Sequence, residues 1–344
     1  MNHQPAHEHD RDDHLMNGQQ SSSDGQSQPL RLGTRRSALA MAQSGMVART
    51  VERVTGRPVE LVEITTYGDT SREALAQIGG TGVFVSALRD ALLEGRIDLA
   101  VHSLKDLPTA APEGLLLAVV PEREDSRDAL IGRDGLGLTE LVEKLAGHPA
   151  RIGTGSPRRT AQLNAWASAR GVALETVPIR GNVDTRIGYV ASGELDAVVL
   201  AAAGLNRLGR SAEITEHLDP ELMLPAPGQG ALAVECVSPG LAAILGGLDH
   251  LPTRVAVAAE RALLARLEAG CSAPVAALAT WQGTELRLEG VVGTVDGATL
   301  LKMTANGPLA LDETAERQAV ALGHALAERL LDAGAANLMG ERAR

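Results

Sequence analysis

The sequence predicts an α/β fold in three domains, with the first domain interrupted by the second and resumed after it. Three observations predict this. Apolar strand-like runs alternate with helical periodicity from Leu30 onward, the pattern of a sheet flanked by helices. Two proline-bearing segments, 121–127 and 224–230, bracket a middle α/β unit as a pair of hinges would. The last stretch changes to helix, three strands and helix, a small α+β unit. The boundaries that follow are a disordered tail over 1–29, a first domain over 30–121 plus 228–248, a second over 127–224 and a third over 251–335. A chain of 344 residues, 44% of them apolar, can bury cores for all three.

The tail is rich in Gln, Ser, Asp and His and nearly free of large apolar residues. Its His3, His7, His9 and His14 read as solvated, with loose metal binding the alternative; no built metal site is expected anywhere. Leu30–Thr34 reads as a strand leading into Arg35, Arg36 and Ser37 and then a long helix. Val59–Thr66 alternates as a strand, and the glycine-rich stretch 67–82 reads as a mobile loop. A helix over Phe84–Leu93 and a strand over Ile97–His102 follow. In the second unit the expected elements are strand 151–154, helix 157–169, strand 174–179, helix 183–191 and strand 197–202. A strand over 231–236 returns the chain to the first domain. The third domain is read as helix 254–268, strands 275–280, 285–292 and 300–304, and helix 312–333.

Composition excludes several classes of function. Only five residues are aromatic, which argues against a base-stacking nucleic-acid binder. The net charge of −11 argues against a general polyanion binder. Cys236 and Cys271 are too few for a disulfide framework and lack metal spacing. No apolar run approaches the roughly 18 residues of a membrane span, and no signal peptide is evident, so a cytoplasmic protein is expected.

Three constellations carry chemistry. The first is arginine just beyond strand ends, at helix starts: Arg35 with Ser37, Thr154 and Ser156 with Arg158 and Arg159, and Arg180-Gly181 with Arg186. Helix N-termini carry partial positive charge, so arginine there needs a reason. A bound anion supplies one; a solvated or salt-bridged surface is the alternative. Without a GxxxxGK[ST] or GxGxxG run, several carboxylates are slightly favoured over phosphate. The second constellation is Val101-His-Ser-Leu-Lys-Asp106, where a buried strand ends. Lys105 and Asp106 are either an exposed turn pair or, in a cleft, a proton-handling and cation-stabilising pair. The third is Glu268-Ala-Gly-Cys271, a cysteine on a loop after a helix that is either packed under the loop or reactive.

Together with Gly33-Thr-Arg-Arg-Ser37, Gly153-Thr-Gly-Ser-Pro-Arg-Arg159, Arg180-Gly-Asn-Val183 and Leu224-Pro-Ala-Pro-Gly-Gln-Gly230, these motifs resemble the porphobilinogen deaminase family over about residues 30–333. The resemblance implies two lobes like type II periplasmic binding proteins, with the active site between them. It implies a dipyrromethane cofactor attached to Cys271 by a thioether, and porphobilinogen as substrate. Four substrate units would be added in turn, each losing ammonia, and hydrolysis would release the linear tetrapyrrole. Asp106 would be catalytic, stabilising the cationic azafulvene and moving protons, with Lys105 assisting. Lys105, Ser103, Thr154, Ser156, Arg158, Arg159, Arg180 and Gly181 would hold the cofactor. Arg35, Ser37, Arg180, Arg186, Arg207, Gln229 and Phe84 would meet the substrate. Many family members carry two loop lysines where this chain has Gln77 and Thr81, a departure that bears on carboxylate contacts from that loop. The protein would act as a monomer, with no nucleic-acid or membrane partner. A non-catalytic two-lobed anion-binding protein is the alternative; it predicts a free Cys271 thiol. A phosphoribosyl-type transferase would need a better phosphate loop.

Overall fold

The computed structural model describes residues 28–65, 82–110, 112–270 and 273–339, with backbone alone for 82–84. The tail up to residue 27 and the loop over 67–81, with Gln77 and Thr81, lie outside the described residues. Gly82 already belongs to a helix.

The first lobe runs β1 (Leu30–Thr34), α1 (Ala38–Thr55), β2 (Val59–Glu63), α2 (Gly82–Leu93), β3 (Leu99–Ser103) and β4 (Leu116–Val119). Ser37 caps α1, its Oγ accepting from the Ala40 amide at 3.3 Å. The second lobe runs β5 (Asp128–Gly132), α3 (Leu138–Lys144), β6 (Ala150–Thr154), α4 (Pro157–Arg170), β7 (Leu174–Pro178), α5 (Val183–Ala191), β8 (Ala197–Ala201), α6 (Ala202–Arg207) and β9 (Glu216–His217). The chain then returns as β10 (Leu232–Cys236) and α7 (Pro239–Leu245). The third unit is α8 (Leu251–Arg266), β11 (Val275–Gln282), β12 (Glu285–Gly293), β13 (Leu300–Pro308), α9 (Ala315–Asp332) and α10 (Ala335–Leu338).

The two lobes share one sheet plan. The first has strand order β2-β1-β3-β10-β4 and the second β7-β6-β8-β5-β9. In each, three strands are parallel and a fourth, antiparallel strand is inserted beside them: β10 against β3, β5 against β8. That antiparallel strand is the one delivered by a crossover from the other lobe. The lobes are thus tied by two strands, and the carboxyl ends of β1, β3, β6 and β8 face the crossovers. Leu32 and Leu99, fully buried and paired across β1 and β3, show what holds the first lobe; each buried leucine contributes about 1.5–3 kcal/mol. Gly33 in β1 and Gly153 in β6 hold equivalent places. A Cβ there would meet Ile97 Cδ1 at 2.3 Å and Leu195 Cδ1 at 2.5 Å, so side chains from neighbouring segments close directly over these strands.

The third sheet is antiparallel, β11-β12-β13, and packs against α8 and α9 around a core from Val255 to Ala335. Element ends differ from the sequence reading where local chemistry intervenes. The strand expected to Ala202 stops at Ala201, because Ala202 opens α6. The helix expected from Arg254 starts at Leu251, with Pro252 in its first turn, where a missing N–H costs nothing. The helix expected from Asp312 starts at Ala315, since Asp312 Oδ1 accepts from the Thr314 amide at 2.8 Å and holds a turn there.

Candidate active site in the cationic cleft

A cavity of about 180 Å³ lies where the two lobes and the third unit meet. Lys105 and Asp106 enter it from the first lobe, Ser156, Arg158 and Arg159 from the second, and Gln229 from the returning crossover. Gly270 and Ala273 of the third unit close it. Cys271, between them, lies outside the described residues, as does the Phe84 side chain.

Lys105 and Asp106 sit in a 3-10 turn, Leu104–Asp106, formed as β3 leaves the sheet. Leu104 is fully buried and anchors the turn, while Asp106 is exposed to the cleft. Lys105 Nζ donates to Gln229 Oε1 at 3.3 Å. Burial lowers the Lys105 ammonium to about 8, a shift that Asp106 opposes and Arg159 reinforces.

Arg158 and Arg159 occupy the first turn of α4, after Pro157, and both are buried. Their counter-charge is Asp128, the first residue of β5, with no exposed surface. Arg158 Nη1 donates to Asp128 Oδ2 and to the Leu224 carbonyl, each at 2.7 Å. Arg159 Nη2 donates to Asp128 Oδ1 at 2.7 Å and its Nη1 to the Val199 carbonyl at 2.9 Å. Gln229 Nε2 adds a further donor to Asp128 Oδ1 at 2.8 Å. Burial alone would raise the Asp128 pKa, but the two guanidiniums outweigh it and hold the carboxyl well below the usual range. The salt-bridged reading of these arginines therefore holds for their Nη groups. The Nε–H of each is buried without a hydrogen-bond partner.

The remaining arginines are placed differently. Arg186 is pushed down by burial and by the positive charges of Arg159 and Arg180, so these three form one cationic group. Its Nε donates to the carbonyl of Gly181, a residue at φ 106°. Asn182 caps α5 beside them, accepting from the Thr185 amide at 2.8 Å. Ser103 Oγ takes a hydrogen bond from Gln43 at 3.1 Å, and Thr154 Oγ1 accepts from the Ser156 amide at 3.2 Å. Arg35 is half-buried at the end of β1. Arg207 lines a different cavity, at the crossover beside α1, and donates to the Gly230 carbonyl at 2.6 Å.

Sequence reasoning missed Asp128 and Gln43. A signal for Asp128 was present: one carboxylate opening an otherwise apolar run, Ala129–Ile131, needs a partner once the strand is buried.

Residues 30–241 match a family model described as "Porphobilinogen deaminase, dipyromethane cofactor binding domain", and residues 255–332 match "Porphobilinogen deaminase, C-terminal domain". A Streptomyces avermitilis protein named porphobilinogen deaminase 1 is 66% identical over 322 residues, covering 92% of this chain and 98% of that protein. A porphobilinogen deaminase of Thermobifida fusca is 52% identical over 319 residues, covering 92% and 97%. A solved structure described as a periplasmic transporter covers 88% of this chain and 96% of its own at 9% identity, with a TM-score of 0.41. Strand order and site define a two-lobed α/β protein whose cleft gathers cationic side chains around one exposed carboxylate. The chain belongs to the porphobilinogen deaminase family. It is a transferase of tetrapyrrole biosynthesis with a dipyrromethane cofactor. Among the described residues no helix is long and apolar enough to cross a membrane.

Proposed function

We propose that this chain makes hydroxymethylbilane by adding four porphobilinogen units in turn, head to tail, to a dipyrromethane held through a thioether at Cys271. The observation that carries this reading is the convergence, in one cavity, of Asp106, Lys105, Arg158, Arg159 and the chain on either side of Cys271.

The residues suit such a group. Two buried guanidinium Nε–H donors lack an acceptor, and Asp128 is the carboxylate set against several cations. A ligand bearing several carboxylates supplies both acceptors and charge. Arg158, Arg159, Arg180 and Lys105, with Ser103, Thr154, Ser156 and the Gly181 backbone, would hold it. Arg35, Ser37, Arg180, Arg186 and Gln229, with Phe84, would orient the incoming substrate. When bound, the dipyrromethane supplies the nucleophilic pyrrole carbon on which the chain grows.

Asp106 does the proton work. In its acid form it gives a proton to the departing amine of porphobilinogen; as the carboxylate so formed it stabilises the cation left behind, and it takes a proton back once the new carbon–carbon bond has formed. A carboxylate fixed at the mouth of a cationic cavity is suited to stabilising such a cation. Lys105, held at Gln229 beside Asp106, keeps neighbouring carboxylates oriented. The protein works as a monomer, which light scattering on the purified protein tests, and in the cytoplasm, which cell fractionation tests. The covalent anchor is tested by intact mass. Active protein should carry the added mass of two linked pyrroles, lost in Cys271→Ser; an unmodified mass in active protein sinks the assignment.

A further inference from the structure

The turn bearing Lys105 and Asp106 is held from the third unit. Arg261, in α8, donates through Nη1 to the carbonyls of Leu104 at 3.3 Å and Leu107 at 3.0 Å, and through Nη2 to Pro108 at 2.7 Å. These carbonyls flank Asp106 on both sides. Val257, one helical turn earlier, is buried in the same cluster as Leu104 and Leu107. Leu264, near one turn later, lines the cavity. Residues 257, 261 and 264 share one helix face, so a continuous stripe of α8 runs along the Asp106 turn and into the cavity. The helix then ends, Glu268 adopts a left-handed conformation at φ 52°, and the chain enters the loop around Cys271.

We infer that Arg261 is a positioning residue for the transfer reaction: it fixes the Asp106 turn against α8, and so sets the carboxylate in register with the cysteine loop that the same helix carries. This rests on the proposed role of Asp106. A short 3-10 turn is a weak support for a group that must be placed to a fraction of an ångström. A planar, permanently charged fork across carbonyls on both sides of the turn removes that freedom, which a lysine ammonium cannot do from one point. Arg261 touches backbone, so its effect on the reaction passes through Asp106.

The test compares Arg261→Met and Arg261→Lys with Asp106→Asn and the double variant Asp106→Asn/Arg261→Met. All are purified as holoenzyme with occupancy read by intact mass, and rates come from single-turnover mass spectrometry. Arg261→Met should retain cofactor, hold KM within about twofold and lower kcat roughly 10- to 100-fold, the scale of a displaced catalytic group; Arg261→Lys should fall between it and wild type. In the Asp106→Asn background the Met substitution should cost no further rate. A merely structural tie would lower melting temperature and cofactor occupancy while surviving holoenzyme kept its kcat, and that result overturns the inference. So does a multiplicative loss in the double variant. Wild-type kcat in Asp106→Asn would instead remove Asp106 from the reaction, and the inference with it. If Arg261→Met does not fold, Arg261→Lys decides by the same split between kcat and KM.

Discussion

Replacing Asp128 with asparagine tests the charge balance beneath the cleft. The side chain is fully buried and accepts from Arg158 Nη1, Arg159 Nη2 and Gln229 Nε2, all within 2.8 Å. Asparagine keeps the shape and one acceptor. If its oxygen takes the place of Oδ1, its amide nitrogen faces Arg158 Nη1 across 2.7 Å, donor against donor. Two buried guanidiniums are then left without a carboxylate. Removing one partner of a buried ion pair costs about 3–5 kcal/mol, a large part of a folding stability of about 5–15 kcal/mol. Urea unfolding at neutral pH, on wild type and Asp128→Asn, measures the loss. The holoenzyme should lose less than the same substitution in Cys271→Ser protein, because ligand carboxylates in the cavity replace part of the missing charge. The sign with pH follows from the lowered pKa of Asp128. Its contribution is complete above the ordinary carboxylate value and lost only as pH falls below it, so wild type and variant should converge only in strong acid. A loss under about 1 kcal/mol at neutral pH, against the 3–5 expected for a buried pair, would refute the reasoning.

Other outcomes follow from the same geometry. Asp106→Ala should keep fold and cofactor mass while turnover falls roughly 100-fold or more, the range for a lost acid–base group; wild-type turnover would remove it from the mechanism. Arg158→Leu should slow cofactor assembly and weaken substrate binding, and unchanged assembly and kinetics would count against its carboxylate-holding role. In cofactor-free protein the acetylation rate of Lys105, followed by peptide mapping, should titrate with a midpoint near 8; a midpoint near the ordinary lysine value of about 10.4 would contradict its burial. Glu235 lies with Arg89 Nη2 at 2.7 Å and His102 Nε2 at 3.1 Å. Burial would raise its pKa, yet those neighbours hold it at about 2. Glu235→Gln should therefore cost about 2–3 kcal/mol at neutral pH, a difference that fades as pH falls from the unfolded carboxyl value toward 2; pH-dependent denaturation checks it.

What the sequence made legible were features with local causes. α5 follows a capping asparagine and β1 a plain apolar run, and both were read to the residue. Motifs at strand ends marked the cleft, because in an open α/β sheet ligands gather there. Features defined by distant partners were not legible. β5 is five residues long and follows a charged crossover, and the carboxylate that opens its apolar run has no partner nearby in sequence. Its Asp128 finds its partners in arginines some 30 positions later, brought to it by the packing of the second lobe. At the start of α4 the anion that Arg158 and Arg159 meet is the protein's own Asp128. Arg207, which the resemblance placed with the substrate-binding residues, lines the crossover cavity instead.

Glu260 in α8 has no exposed surface and binds four groups: Arg123 Nη1 and Nη2 from the outgoing crossover, the Gly228 amide from the returning one, and the Ala279 amide of β11. Both leaves of the hinge are therefore fastened to one pin, and the pin belongs to the body that carries the cysteine loop. A swing of the second lobe would change the width of the cleft without unfastening the anchor from the axis. As a product lengthens, room can be made by turning about that axis, while α8 keeps its hold on the Asp106 turn.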